Sequence, residues 1–168
     1  MHKAKNLMIV MNKRAYLDDQ HLIRYLSKYC QDVQALDQRI RFVGIADYAG
    51  KLVASFYRQG LVPLMDKRET EQYALQTVFR ARTRGGFKPQ LGEQRYATAV
   101  YDRLIRTTLT ILHPQQESHN MYLLISLDVG CEYPSIIEEK VIPFISASKE
   151  TLFENTKVIS EKYADQKT

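Results

Sequence analysis

The sequence predicts an α+β fold: a five-stranded antiparallel sheet flanked by helices, in the order α-β-β-α-β-β-β-α. Three observations lead there. RIRFVGIADYAGKLVASFY, residues 39–57, holds two apolar runs joined at Tyr48-Ala49-Gly50-Lys51. MYLLISLD, residues 121–128, is almost continuously apolar, as a strand buried on both faces must be. Segments with apolar residues at three-to-four-residue steps precede, separate and follow the strand groups. Short connections within each group favour antiparallel meanders, and the two strands that are apolar on both faces, one from each group, should pair at the centre.

Taken in order, Leu22, Leu26, Tyr29/Cys30, Val33 and Leu36 define a first amphipathic helix, with Asp18 and Asp19 near its positive N-terminal end. In the first strand Phe42, Gly44 and Ala46 point to one face and Val43 and Ile45 to the other. Gly50 supplies the positive φ of a tight reversal over Asp47 to Lys51, and Leu52, Val53, Ala54 and Phe56 carry the chain back. Gly60 and Pro63 break the pattern. Asp66 and Glu69 then read as a capping box opening a second helix that Gly85 or Gly86 ends.

The run EQRYATAVYDRLIRTTLTIL holds two strands, about 94–101 and 103–112, reversing at Tyr101-Asp102-Arg103. In the second, Ile105, Leu109 and Ile111 face one way and Arg106, Thr108 and Thr110 the other. The polar loop HPQQESHN leads to the last strand, Met121 to Leu127, which stops at Asp128, Gly130 and Pro134. Ile137, Val141, Ile145, Leu152, Ile159 and Tyr163 recur at helical steps, and Pro143 is expected to kink or split that final helix.

Composition narrows the function classes. At 168 residues one core is the default. The excess of 24 basic over 19 acidic residues, +5 net, favours acidic partners only weakly. The two cysteines, Cys30 and Cys131, have no zinc spacing and read as reduced thiols. No apolar run reaches signal-peptide or membrane-spanning length, so a cytoplasmic protein is expected.

The element order, the RFVGIADYAGKLVAS hairpin and the YLLISLD strand entering a final helix resemble the roadblock/dynein light chain domain of the profilin-like folds. The chain is also similar to uncharacterised archaeal proteins with such a hairpin and a VPLMD helix start. The resemblance covers about 17–147, leaving a basic N-terminal arm, 1–16, and a C-terminal helical extension, 148–168. A PAS-type sensor ranks second, because it usually places several short helices where this sequence offers one long one. The resemblance implies a non-enzymatic interaction or regulatory module, a homodimer or a pair with a related domain, that scaffolds a complex or modulates a small GTPase.

Candidate sites follow. His2, His21, His113 and His119 lie in no nucleophile elbow, HExxH helix or CxxC neighbourhood, and no phosphate loop of known pattern is present, so no catalytic residue or metal site is expected. His113 and His119 flank one loop and are candidates to hold a haem-like or nucleotide-like ligand, against the plainer reading as solvated loop residues. Arg80, Arg82, Arg84 and Lys88 would grip an acidic partner or anion, or simply offset the negative end of the helix dipole. Tyr73, Val78 and Phe79 are candidates for a dimer contact through the second helix. Arg95-Tyr96, Tyr101 and Arg103 offer a third class, base stacking on a nucleic acid, without a supporting motif. Phe144, Leu152, Phe153 and Ile159 are candidate anchors on a partner-binding helix.

Overall fold

A computed structural model of the chain describes residues 20–157. The basic arm 1–16, Asp18, Asp19, Ile159 and Tyr163 lie outside the described residues. Helix α1 covers 20–34, and strands β1 (Ile40–Ala46) and β2 (Leu52–Tyr57) form the first hairpin. Helix α2 (Lys67–Gly85) and a single turn, α3 (Lys88–Leu91), cross to β3 (Ala97–Val100), β4 (Ile105–Ile111) and β5 (Met121–Leu127). Helix α4 (Tyr133–Ser135), a π-helical stretch (Ile136–Val141) and α5 (Ile142–Asn155) follow one another directly and are the last elements among the described residues.

The five strands are antiparallel throughout, in the order β2-β1-β5-β4-β3. The expected pairing of the two doubly apolar strands is present, with Val43 opposite Ile125 and Ile45 opposite Leu123. Every residue of β5 is buried, because this strand is the middle one and both its faces carry helices. On one face Val43, Ile45, Leu123, Ile125 and Leu127 pack with Leu26 and Val33 of α1 and with Ile136, Ile137, Val141 and Leu152. On the other, Phe42, Ala46, Tyr122 and Leu124 meet only Ala74 and Val78 of α2 among buried apolar residues. One face is thus sealed by two elements and the other by one.

The local signals explain the ends of the elements. Asp66 accepts from the Glu69 N–H at 2.8 Å and Glu69 accepts from the Asp66 N–H at 2.9 Å, the reciprocal capping box that starts α2. Asp47 accepts from the Lys51 N–H at 2.9 Å and closes the β1–β2 turn around Gly50, whose φ is 87°. A Cβ on Gly50 would also stand 2.7 Å from Leu75 Cδ1, so α2 leans directly on this turn. At Pro143 the final helix changes type and does not leave the helical path: a π-helical stretch ends at Val141 and an α-helix starts at Ile142. The π-helical stretch ahead of it shifts the hydrogen-bond pattern, and Pro143 falls in the first turn of α5, where its missing N–H costs little. Strand β3 is shorter than the expected 94–101, since only Ala97–Val100 lie opposite β4.

Two carboxylates tie one end of the sheet. Asp37 accepts from Arg39 Nε at 2.8 Å and from Lys140 Nζ at 2.8 Å, joining the start of β1 to the C-terminal helix. Asp128 accepts from Arg58 at 2.6 Å and Arg41 at 2.9 Å, joining β5 to the first hairpin. The Arg39 hydrogen bonds, with those of Lys140, hold the Asp37 carboxyl well below the usual carboxylate range despite its burial. Asp128 is lowered likewise, chiefly by Arg58.

A depressed carboxyl contributes stability above its unfolded pKa, about 3.9, and loses it as pH falls through the folded value. Stability should therefore decline on acidification below about pH 4. Asp37→Asn should lower the urea midpoint at pH 7, with the gap to the parent protein closing towards acid; a gap independent of pH would exclude the ion pairs as its source. Gly50→Ala should cost about 1–2 kcal/mol from the left-handed backbone alone, and more from the Leu75 overlap, measured by urea denaturation.

Candidate functional site

Successive residues on α2 turn by about 100°, which divides the helix lengthwise. Thr70, Ala74, Thr77 and Val78 form its buried underside. Leu75, Phe79 and Arg82 lie along one flank, above the β1–β2 turn, where Arg82 stacks 3.9 Å over the Tyr48 ring and donates to the Tyr48 carbonyl at 3.3 Å. Tyr73, Arg80 and Arg84 lie along the other flank, above β4 and β3, where Arg106 sits 3.7 Å over the Tyr73 ring.

This arrangement separates the residues expected to form one dimer contact. Val78 is 1% exposed inside the chain's own core, so its side chain is not available to a partner. Tyr73 and Phe79 lie on opposite flanks, and only Phe79, 55% exposed, pairs with another exposed apolar residue, Leu75. The periodicity of α2 shows an excess of apolar residues. Their allocation to flanks depends on where β1 and β4 meet the helix, which periodicity does not contain.

The four-cation cluster also divides. Arg82 is held against Tyr48, and Lys88 is ion-paired with Glu93. Arg80 is bonded to the Gln76 carbonyl of its own helix at 3.3 Å. Arg84 has no side-chain hydrogen bond or ion pair among the described residues.

Arg82, Arg84 and Lys88 nevertheless share a cavity of about 290 Å3 with His113, a residue remote from them in sequence. The cavity lies between the end of α2 and the β4–β5 loop. Tyr122 forms part of its wall; the residue is 2% exposed, and burial pushes its pKa up to about 12. In sequence Tyr122 is legible only as a strand residue, because nothing in MYLLISLD marks which side chain meets a cavity.

The His113 and His119 rings do meet, edge to face, with centroids 5.1 Å apart. His113 Nδ1 accepts from the backbone N–H groups of Gln115 and Gln116, both at 3.2 Å, so that nitrogen is spent on loop structure. Its ring also packs on Phe153 at 4.7 Å. Cys131 lies beyond the opposite end of β5, roughly 20 Å of strand away, and does not join the pair. Among the described residues no group of three or more His, Cys, Asp or Glu is placed to hold a metal. Both thiols are free, and burial pushes Cys30 up to about 12.

Other expected surfaces are used internally. Leu152 and Phe153 belong to the main core, so neither serves as an anchor for a partner. Tyr96 donates to Glu138 at 2.8 Å and Arg95 is 3.9 Å from the same carboxylate, whereas Tyr101 and Arg103 sit at the β3–β4 turn. The aromatic and basic pairs therefore form no single base-stacking platform.

No protein-family model matches the sequence. No curated protein sequence matches it either. Solved structures do share its architecture. An MglB in a tetrameric arrangement aligns with a TM-score of 0.60 at 11% identity, over 81% of this chain and 90% of that one. The gliding protein MglB from Thermus thermophilus gives 0.57 at 11%, over 83% and 91%. A roadblock/LC7 domain from Streptomyces avermitilis gives 0.52 at 10%, over 71% and 93%. At such identities the likeness establishes the fold, and that fold is a roadblock-like domain. No helix among the described residues is long and apolar enough to cross a membrane.

Burial first, then the neighbouring His119, lowers the His113 pKa. The unfolded chain then takes up the proton more readily, so the loop should be stable above about pH 6.5 and weaken as pH falls through the folded value. Proton NMR should find the His113 midpoint below about 6.5, and a midpoint above it would contradict the buried packing on Phe153.

Proposed function

We propose that the chain is a non-enzymatic regulatory module that acts by binding other proteins. It works as a homodimer, or paired with a related domain, and modulates a small GTPase or scaffolds a complex that contains one. The observation that carries this reading is the flank of α2 on which Leu75 and Phe79, 40% and 55% exposed, stand one helical turn apart. Leu75 rests partly on the β1–β2 turn and Phe79 belongs to neither core cluster, so the two together leave a large apolar surface facing outward.

The roadblock-like fold supports the same reading, because the resemblance to roadblock domains implies dimers that act on small GTPases, and one solved MglB of this fold is tetrameric. The free thiols agree with work in the cytoplasm.

Sedimentation velocity should find the native chain as a dimer at micromolar concentration. Phe79→Asp should shift it to monomer by weakening association at least about a hundredfold, a loss typical of a central aromatic contact, with its thermal midpoint nearly unchanged. A folded variant that remains dimeric would exclude this flank.

A further inference from the structure

The opposite flank of α2 carries a separate feature. Between α2 and the β3–β4 pair lies a groove of about 80 Å3, bounded by Tyr73, Thr77, Arg80, Arg84, Tyr101 and Arg106, together with small strand residues. No carboxylate lines it. Several cations elsewhere are paired, Arg39 and Lys140 with Asp37, Arg41 and Arg58 with Asp128, Lys88 with Glu93, while Lys51, Arg68 and Arg103 stand unpaired among the described residues but apart from one another. Arg80, Arg84 and Arg106 have no acidic partner among the described residues, and the only side-chain acceptor for Arg106 is the Met65 sulfur, a weak one. The Tyr73 ring, with Arg106 3.7 Å and Arg80 5.8 Å from its centroid, holds two of these guanidinium groups in place, and an anion in the groove would offset the repulsion that remains among the three.

Thr77 points independently to the same place. Its residue is 7% exposed, and its hydroxyl is the one buried side-chain polar atom with no hydrogen-bond partner among the described residues. Thr70 and Thr83 on the same helix satisfy their hydroxyls on the carbonyls four residues back, Asp66 and Phe79, at 2.8 and 2.9 Å. Thr77 does not. A buried donor left unmade is costly unless something else accepts from it.

We propose that this groove binds the phosphoryl group of a small phosphorylated molecule, with Arg80, Arg84 and Arg106 as counter-charges and the Thr77 hydroxyl donating to a phosphoryl oxygen. Space for a few heavy atoms suits that group, since a water's share of liquid volume is about 30 Å3. The larger cavity adjoins the groove at Ala81 and Arg84 and would take the rest of the ligand, with Tyr122 in its wall. Planar guanidinium forks match phosphoryl oxygens two at a time, which a single lysine cannot do. Nucleotides and sugar phosphates both present this chemistry. The inference stands apart from the dimer flank, so either can fail alone.

The test is isothermal titration calorimetry of the full-length chain at fixed ionic strength with sodium pyrophosphate, ADP and glucose 6-phosphate. Saturable binding of pyrophosphate is expected, tightened by whichever organic group fits the cavity, and the comparison of ADP with glucose 6-phosphate identifies the source. Arg84→Ala and Thr77→Val should each weaken binding about tenfold, and Lys149→Ala, on the opposite sheet face, should not. Thr77→Val should also raise the thermal midpoint of the ligand-free protein, because it removes an unpaired buried hydroxyl, a signature that a merely structural threonine would not give. Absence of saturable pyrophosphate binding, binding insensitive to both groove variants, or a dimer that Arg84→Ala dissociates would overturn the proposal. The last result would mean that a second copy fills the groove.

Discussion

The pairing of β1 with β5 is the constraint on which the rest of the structure depends. Both strands bury side chains on both faces, so the sheet cannot stand with one face in water. Helices must cover it twice, and the chain order leaves α1 and the C-terminal helix for one face and α2 for the other. The ion pairs at Asp37 and Asp128 sit at the end of this central pair and tie it to the flanking elements.

Unequal cover is what gives the two faces different characters. The α1 face is a closed apolar core running from Leu26 to Leu152. The α2 face is apolar only beneath the helix, and on β4 it turns to Arg106, Thr108 and Thr110, which are half-buried at most. One helix spanning this boundary necessarily has two unlike flanks: an apolar one over the β1–β2 turn and a basic one over β4 and β3. The protein-binding reading uses the first, and the phosphoryl site uses the second.

Much of this is legible in residues that combine a local signal with a single structural solution. The capping box at Asp66 and Glu69, the turn at Gly50 and the alternation of Phe42 to Ala46 each admit little else, and the fold follows from them. The site is far less legible. Pattern places Arg106 and Tyr122 on the correct strands, yet their pairing with Tyr73 and with the Arg84 cavity depends on which strands become neighbours and how far α2 sits from the sheet edge. Val78 and Phe79 are adjacent in sequence and suggest one surface, although a 100° rotation puts one in the core and the other in solvent. Pro143 marks in the sequence the place where the final helix changes from π to α, but the π-helical stretch that lets the chain stay helical up to it has no sequence signal of its own.

Amide hydrogen exchange on the native chain in dilute solution tests the unequal cover most directly. The slowest amides should be those of β5 and β1, opening only with global unfolding, while the β3 amides, at an uncovered edge, should exchange much faster. Amides of β3 protected as strongly as those of β5 would contradict an open β3–β4 face and show that something already closes it.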